Sequence, residues 1–250
     1  MREDQDIPVQ DAVFDLRLLG RARLRVAGEE RTIASTKNLL LLARLARMPD
    51  HAATREQMAA FLWPGSSREK ARASLRQALN RLRATLDAPV EPFEADPVRI
   101  ALARGRWTTD LDAAGHLPGA LEAGVTFLDG VRAREPEIEA WLEVERRAVA
   151  AALTTRLRDT VDDCVATQGP EAAIPLALRL VALDPLDEDN GRRLMCLYRD
   201  AGQRSQALAQ FERLKEALGK EIGEVPDRQT RQLAEEIRRG TTQPGDREKR

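Results

Sequence analysis

The chain has 250 residues, which is enough for about two domains at the usual ~100–200 residues each. Its formal net charge is −1, but residues 1–110 carry 19 Lys and Arg against 15 Asp and Glu, and the remainder carries 21 against 26. No apolar run reaches the ~20 residues that cross a bilayer, and the charged start lacks the apolar centre of a secretion signal, so we expect a cytoplasmic protein.

Short strands are predicted near the start of the chain. Residues 1–12 are polar and acidic and are expected to form a disordered leader. Apolar residues then alternate with polar ones, the pattern of strands with one buried face. The apolar positions of three such strands are Phe14, Leu16 and Leu18, then Leu24 and Val26, then Ile33. Gly20 and residues 27–29 are the predicted turns.

Three helices follow, each marked by a start signal. The first begins at residues 35–36, where a hydroxyl side chain precedes a leucine-rich face. Thr54 with Gln57 matches the capping-box pattern that opens a second helix. Ser66 with Glu69 matches the same pattern and predicts the start of a third helix.

The third predicted helix, residues 68–86, combines an apolar stripe with a cationic surface. Its leucines recur at spacings of four, three and four, which places them on one side of the helix. They are Leu75, Leu79, Leu82 and Leu86. The remaining surface carries Arg68, Lys70, Arg72, Arg76, Arg81 and Arg83 against a single acid, Glu69. Gln77 and Asn80 face directly away from the leucines.

This surface is suited to DNA. An α-helix fits the major groove, where Gln, Asn and Arg make paired hydrogen bonds to base edges while flanking Arg and Lys bind phosphates. The predicted base-reading residues are Ser74, Gln77, Asn80 and Arg81. The predicted phosphate-binding residues are Arg68, Lys70, Arg72, Arg76, Arg83 and, further along the chain, Arg99. The basic surplus of residues 1–110 favours DNA, although many solvated surface helices are also rich in arginine.

A hairpin is predicted after the third helix. Residues 90–93 and the alternating Val98, Ile100 and Leu102 are its strands, with the turn at residues 95–97. The order of three strands, three helices with the basic one last, and a hairpin resembles the OmpR-type winged helix-turn-helix. More specifically, FDLRLLGRARLRVAGEE, LLLLARLA, FLWPG and ARASLRQALNRLRATL resemble the N-terminal domain of SARP-type regulators.

This resemblance implies how the first domain would act. In that family the third helix enters the major groove, the hairpin wing lies along the neighbouring backbone or minor groove, and the loop between the second and third helices can face RNA polymerase. Carried over, the polymerase-facing loop is Trp63, Pro64, Gly65, Ser66 and Ser67. The wing departs from the family pattern because Asp96 stands at its tip, where a basic residue would favour DNA.

The second half resembles the bacterial transcriptional activator domain. Residues 125–130 look like its glycine-turn segment, and residues 139–146 look like part of the long helix that follows, here from about Pro136 past Val165. A shift of 34 residues pairs apolar or aromatic residues at helical spacing, as in tetratricopeptide (TPR) helix pairs. The pairs are Val161 with Met195, Cys164 with Tyr198, Ala173 with Ala207, Ile174 with Leu208, Ala177 with Phe211 and Leu180 with Leu214.

The predicted fold class is therefore mainly α with a small β component. A winged helix-turn-helix domain is expected at residues 13–110, and a TPR-like helical domain at residues 111–240. An amphipathic helix at about residues 227–238 is expected to cap the helical stack. Residues 241–250 are expected to form a disordered tail.

The sequence indicates neither catalysis nor metal binding. It contains no glycine-rich phosphate loop, and His51 and His116 are isolated from other catalytic or metal-ligating residues. The acids within residues 184–189 are explained by a loop and a helix start. Cys164 and Cys196 are expected to be buried free thiols. We therefore expect no enzyme, no metal and no cofactor.

Together the two halves predict a sequence-specific DNA-binding transcription regulator, and the resemblance implies that it is an activator. The expected partners are double-stranded DNA, RNA polymerase and a second copy of the chain. The second copy is expected because a single winged helix reads only a short site. No membrane partner is expected. The alternative is a protein-interaction module whose repeats are the functional surface, or the regulatory front end of a larger sensor or enzyme.

Overall fold

The computed structural model describes residues 13–111 and 126–240, and within these ranges it contains seven strands, eight α-helices and one short 3₁₀ helix (Pro49–His51). The strands are β1 (Phe14–Arg17), β2 (Arg23–Val26), β3 (Glu29–Arg31), β4 (Ala52–Thr54), β5 (Phe93–Ala95), β6 (Arg99–Leu102) and β7 (Trp107–Thr109). The helices are α1 (Thr36–Arg47), α2 (Arg55–Leu62), α3 (Arg68–Leu86), α4 (Pro136–Gln168), α5 (Pro170–Leu183), α6 (Glu188–Asp200), α7 (Arg204–Glu221) and α8 (Arg228–Arg239). The predicted class, mainly α with a small β component, is confirmed. The predicted leader and tail lie outside the described residues.

The first sheet has the strand order β3-β2-β1-β7. β1 and β2 pair antiparallel with Phe14 opposite Val26, and both side chains are buried, as the alternation predicts. Ala27 and Gly28 both have positive φ, which closes the tight turn into β3. β7 pairs parallel to β1 and is not predicted from sequence. It is held there by Trp107, whose ring stacks on Phe14 with centroids 4.7 Å apart.

Helices α1, α2 and α3 lie between β3 and β5 in the chain. The capping box of α2 is confirmed, because the Thr54 hydroxyl accepts from the Gln57 N–H and the Gln57 side chain accepts from the Thr54 N–H, both at 3.1 Å. The predicted cap of α3 is wrong by one residue: Ser67, not Ser66, is the N-cap. The Ser66 N–H instead donates to the Trp63 carbonyl, so Ser66 belongs to the turn that ends α2.

The predicted hairpin is confirmed as β5 and β6, with Phe93 opposite Leu102, but its first strand is Phe93–Ala95 and not residues 90–93. β6 also pairs with β4, giving a second sheet of order β4-β6-β5. β4 is three residues long and shows no alternation that would reveal it in the sequence. Because α2 begins directly after β4, this pairing fixes the start of α2 beside the hairpin.

Residues 126–150 pack into the same compact unit as the elements described so far. Phe127 forms an isolated β-bridge with Leu19. Trp141 of α4 packs edge-on against Phe61 of α2, with ring centroids 5.0 Å apart. The first unit therefore extends beyond the predicted domain limit, because the first half of α4 supplies part of its core.

Residues 151–240 form the second compact unit. α5 begins at Pro170 and α7 at Arg204, 34 residues later, so the helices repeat with the predicted period. Of the twelve residues paired by the 34-residue shift, ten are buried, and Cys164 and Leu208 are half-buried. Stacked helix pairs bury their apolar faces against their neighbours in this way, which confirms the TPR-like prediction.

Candidate nucleic-acid interface

α3 buries its leucine stripe and exposes its cations. The four leucines of the stripe are each at most 1% exposed, and Ala71 and Ala78 are buried with them. This side of α3 packs against α1 and α2. The helix ends at Leu86, where Asp87 turns into the left-handed region with φ of 36°. The predicted amphipathic helix is confirmed, and its opposite face is left exposed.

Three of the four predicted base-reading residues lie on this exposed face. Gln77, Asn80 and Arg81 are exposed, whereas Ser74 is half-buried. In the part of the chain that the structure describes, the side chains of the three exposed residues form no hydrogen bond or ion pair. Their donors and acceptors are available, and amide and guanidinium groups of this kind form paired hydrogen bonds with base edges.

The predicted phosphate-binding cations divide into unpaired and paired groups. Lys70, Arg76 and Arg99 are exposed, and among the described residues none of them forms an ion pair. Arg83 differs, because its Nε lies 3.1 Å from a carboxylate oxygen of Glu91. The unpaired cations are therefore the ones that a phosphate can approach without displacing another anion.

Two further cations share one carboxylate at the start of α3. Glu56, in the first turn of α2, accepts from Arg68 Nη2 at 2.7 Å and lies 3.8 Å from Arg72 Nη2. The three side chains are 53%, 66% and 55% exposed, respectively. The start of α3 is thus less available to an external anion than its charge count alone implies.

The acid at the wing tip is bound by the backbone of its own turn. One carboxylate oxygen of Asp96 accepts from the Val98 N–H at 2.7 Å and from the Arg99 N–H at 2.6 Å. These bonds, from Arg99 first and then Val98, hold the pKa of Asp96 below its ordinary value. Val98, 67% exposed, projects from the tip. The wing therefore presents an aliphatic side chain and Arg99 around a carboxylate that is already hydrogen-bonded.

The loop predicted to face RNA polymerase connects α2 to α3. Trp63 is the C-cap of α2, with its N–H donating to the Ala59 carbonyl at 3.0 Å, and residues 64–67 are exposed. A groove of about 250 Å³ lies beside this loop. Its lining includes Ala59, Ala60, Trp63, Pro64 and Ala71, with Glu56 and Arg68 at its charged side. The loop thus offers an apolar groove as well as an exposed backbone.

Sequence reasoning missed the acids that pair with the cations. Glu56 is 12 residues from Arg68 and lies on a different helix, so no spacing rule connects them. Glu91 lies eight residues beyond Arg83, past the end of α3. A helix-turn-helix template, in which the first turn of α2 lies beside the first turn of α3, is the signal that could have indicated the first pair.

The residues considered for other chemistry are not brought together. His51 is half-buried in a 3₁₀ turn, with Nδ1 3.1 Å from the Ala46 carbonyl oxygen, and His116 lies outside the described residues. Cys164 and Cys196 are free, as expected, but they are half-buried and not buried. Within 13–111 and 126–240, no group of three His, Cys, Asp or Glu side chains can hold a metal ion. No helix in these ranges has the length and apolarity to cross a membrane.

Two regulators share similarity with most of the chain. The transcriptional regulatory protein MoaR1 of Mycobacterium bovis (strain BCG / Pasteur 1173P2) is 24% identical to it over 246 residues. MoaR1 of Mycobacterium tuberculosis (strain ATCC 25618 / H37Rv) is 26% identical. Both matches cover 89% of this chain and 78% of the relative.

The chain is also similar to a solved structure and to a family profile. Mycobacterium tuberculosis EmbR, solved in complex with a low-affinity phosphopeptide, superposes with a TM-score of 0.67 at 21% identity, which shows a shared fold. The match covers 92% of this chain and 66% of EmbR, so the chain spans about two thirds of that protein. The profile of the bacterial transcriptional activator domain matches residues 93–238, more than half of the chain. The chain belongs to the bacterial transcriptional activator domain family of transcription regulators.

Proposed function

We propose that the protein is a sequence-specific DNA-binding transcription regulator of the activator type. The observation that carries the proposal is the exposed face of α3, where Gln77, Asn80 and Arg81 have unengaged donors and acceptors. The buried leucine stripe directs this face outward. Similarity to MoaR1, itself a transcriptional regulatory protein, supports a role in regulation.

In this proposal α3 lies in the major groove of the operator. Arg81 can bond the O6 and N7 of guanine, and Gln77 and Asn80 can bond the N6 and N7 of adenine, with Ser74 at the flank of the contact. Lys70 and Arg76 bind phosphates and release counterions, which supplies affinity for duplex of any sequence. Base contacts then provide the preference for one site.

The other parts of the molecule extend this contact. Arg99 of the wing binds the neighbouring backbone or minor groove, and the loop at residues 63–67 faces RNA polymerase. Two copies of the chain read half-sites about 34–36 Å apart, or a multiple of that distance, with the helical unit forming the dimer contact. The protein acts on DNA in the cytoplasm, without metal, cofactor or catalytic step.

The second candidate is a protein-interaction module that does not read DNA sequence. A protein-binding helix typically exposes large apolar side chains at the centre of its contact surface. The exposed large hydrophobic residues among those described are Val98, Val144, Leu178, Ile222 and Val225. None of them belongs to α3, and this observation favours DNA as the partner of that helix.

The first experiment is selection from a pool of random duplex DNA at several salt concentrations. The wild type should enrich one motif, and Asn80→Ala should relax its preference at one base position at a cost of ~1–3 kcal/mol. Gln77→Ala should do the same at another position. Failure of the wild type to enrich any sequence, together with binding that does not depend on salt, would favour the protein-interaction module.

A phosphate contact should behave differently from a base contact. Arg76→Ala should weaken binding to every duplex and reduce the magnitude of the salt slope by ~0.9, the value for one phosphate. Arg25→Ala is the matched control, because Arg25 is an exposed cation on β2 and not on α3. Equal losses on the enriched motif and on random duplex for all three α3 variants would contradict this division of roles.

A further inference from the structure

We infer that Glu56 is an internal competitor of the DNA backbone for the first turns of α3, and that it sets how tightly the protein holds duplex of any sequence. The inference rests on the proposed DNA binding and describes how that same site is regulated. Its basis is the shared ion pair, in which one carboxylate of α2 engages Arg68 at 2.7 Å and Arg72 at 3.8 Å.

Without Glu56, the start of α3 would be the strongest anion-binding surface of the interface. Arg68, Lys70 and Arg72 cluster within its first five residues. The N-terminus of a helix also carries partial positive charge from its unpaired N–H groups. Glu56 faces this cluster from the neighbouring helix, and Glu69 faces it from α3 itself. Only Glu56 forms an ion pair there in the part of the chain that the structure describes.

Carboxylate and phosphate oxygens are equivalent partners for a guanidinium group. Both accept charge-assisted hydrogen bonds from its N–H donors, so only one of them can occupy a given donor. A phosphate that binds Arg68 or Arg72 must displace Glu56, whereas Arg76 binds one without such an exchange. Glu56, Arg68 and Arg72 are each more than half exposed, so solvent and salt screen the attraction between them. A phosphate can therefore displace Glu56 readily.

The test compares Glu56→Gln with Glu69→Gln on a random-sequence duplex over a range of salt concentrations. Both variants remove one negative charge from the first turn of a helix, so they match in net charge and in the lost interaction with the helix dipole. Glu56→Gln frees two cations and should steepen the salt slope by about one to two units, at ~0.9 for each phosphate. Glu69→Gln frees none, and its slope should equal that of the wild type.

A second comparison identifies which cations respond. Arg68→Gln is measured in the wild type and in the Glu56→Gln background, with circular dichroism to check that every variant is folded. The loss of affinity should be larger in the Glu56→Gln background, where Arg68 has no competing carboxylate. Equal losses in both backgrounds would show that Glu56 does not compete.

The outcomes also separate this inference from the proposed function. Salt-dependent binding by the wild type, with identical slopes for Glu56→Gln and Glu69→Gln, overturns the competition and leaves the DNA-binding proposal standing. No salt-dependent binding by the wild type or by either variant overturns the proposed function, and the inference with it. Salt-dependent binding that emerges only in Glu56→Gln supports the competition in its strongest form.

Discussion

The carboxylate of Asp96 closes the turn of the wing by accepting from the Val98 and Arg99 N–H groups. From the sequence, an acid at this position opposes a nearby phosphate. In the structure its charge is directed at the backbone, and Arg55 Nε donates to the Asp96 carbonyl at 2.6 Å. Asp96, whose charge alone would disfavour DNA binding, is thus the residue that connects the wing tip to the start of α2.

These bonds predict a pH-dependent wing tip. Donation from Arg99 and Val98 lowers the pKa of Asp96 below its ordinary 3.8. Such a group stabilises the folded turn above the ordinary pKa, and this contribution is lost as the pH falls through the lowered value. An NMR titration should place the midpoint of the Val98 and Arg99 amide shifts below 3.8, and Asp96→Asn should abolish it. A midpoint at or above 3.8 would contradict this account.

Local patterns locate residues whose partners are near in sequence. The capping box of α2 is predicted correctly because Thr54 and Gln57 are three residues apart. The cap of α3 is misplaced because Ser66 and Ser67 are adjacent, and their hydrogen bonds alone separate their roles: the Ser66 N–H donates to the Trp63 carbonyl, and the Ser67 hydroxyl accepts from the Lys70 N–H. The exposed face of α3 follows from periodicity alone, whereas its ion pairs join different elements and need the fold.

Among the elements, arginine clamps connect alternate helices of the second unit, α4 with α6 and α6 with α8. Arg158 of α4 donates to Asp187 at 2.6 Å and to Asn190 at 2.9 Å. Asp187 is the N-cap of α6 and also accepts from the Asn190 N–H. One arginine therefore binds both the N-cap and the first turn of α6. This use of Asp187 supports the interpretation of the acids near residue 187 as a helix start.

The clamp recurs with a different spacing. Arg192, 34 residues after Arg158, donates to Asp227 at 2.7 Å and to Thr230 at 2.8 Å, and Asp227 is the N-cap of α8. The arginines keep the repeat period, but Asp227 lies 40 residues after Asp187, because α7 is longer than α5 and the connection before α8 is longer than the one before α6. A fixed shift of 34 therefore detects the repeated helices and misses the repeated clamp.

Close packing between α6 and α7 predicts an unusual response to alanine. A Cβ on Gly191 would lie 2.8 Å from Leu214 Cδ2, and Leu214 is buried. Gly191→Ala should therefore lower the free energy of unfolding, because such overpacking costs ~1–3 kcal/mol. A Cβ on Gly219 of α7 would lie 3.9 Å from its nearest neighbour, the Glu224 carbonyl oxygen. Gly219→Ala should therefore raise the free energy of unfolding by ~0.5–1 kcal/mol. Urea unfolding measures both, and stabilisation by both substitutions would refute the close contact.

For the whole molecule, the first compact unit combines two stretches that are far apart in sequence. Lys37 of α1 donates to Glu135 at 2.6 Å, and Arg47 donates to Glu145 of α4 at 2.7 Å, each across 98 residues. The sequence places a domain limit at residue 110, between the predicted hairpin and the helical half of the chain. A limit at residue 110 separates the partners of both contacts. No local sequence pattern indicates that residues 135–145 contact α1.

The last prediction concerns which fragment folds alone. A fragment of residues 13–150 should unfold cooperatively, whereas residues 13–110 should expose apolar surface and aggregate or lose native packing. The shorter fragment lacks Phe127, Leu128 and Ile138, each at most 1% exposed, and burial of such side chains contributes ~1.5–3 kcal/mol apiece. Their sum is comparable to the ~5–15 kcal/mol that stabilises a typical domain. Calorimetry and amide NMR spectra of both fragments measure the difference. If both fragments unfold with equal cooperativity, the first half of α4 is not needed for the folding of residues 13–110, and residue 110 is the limit of an independent domain.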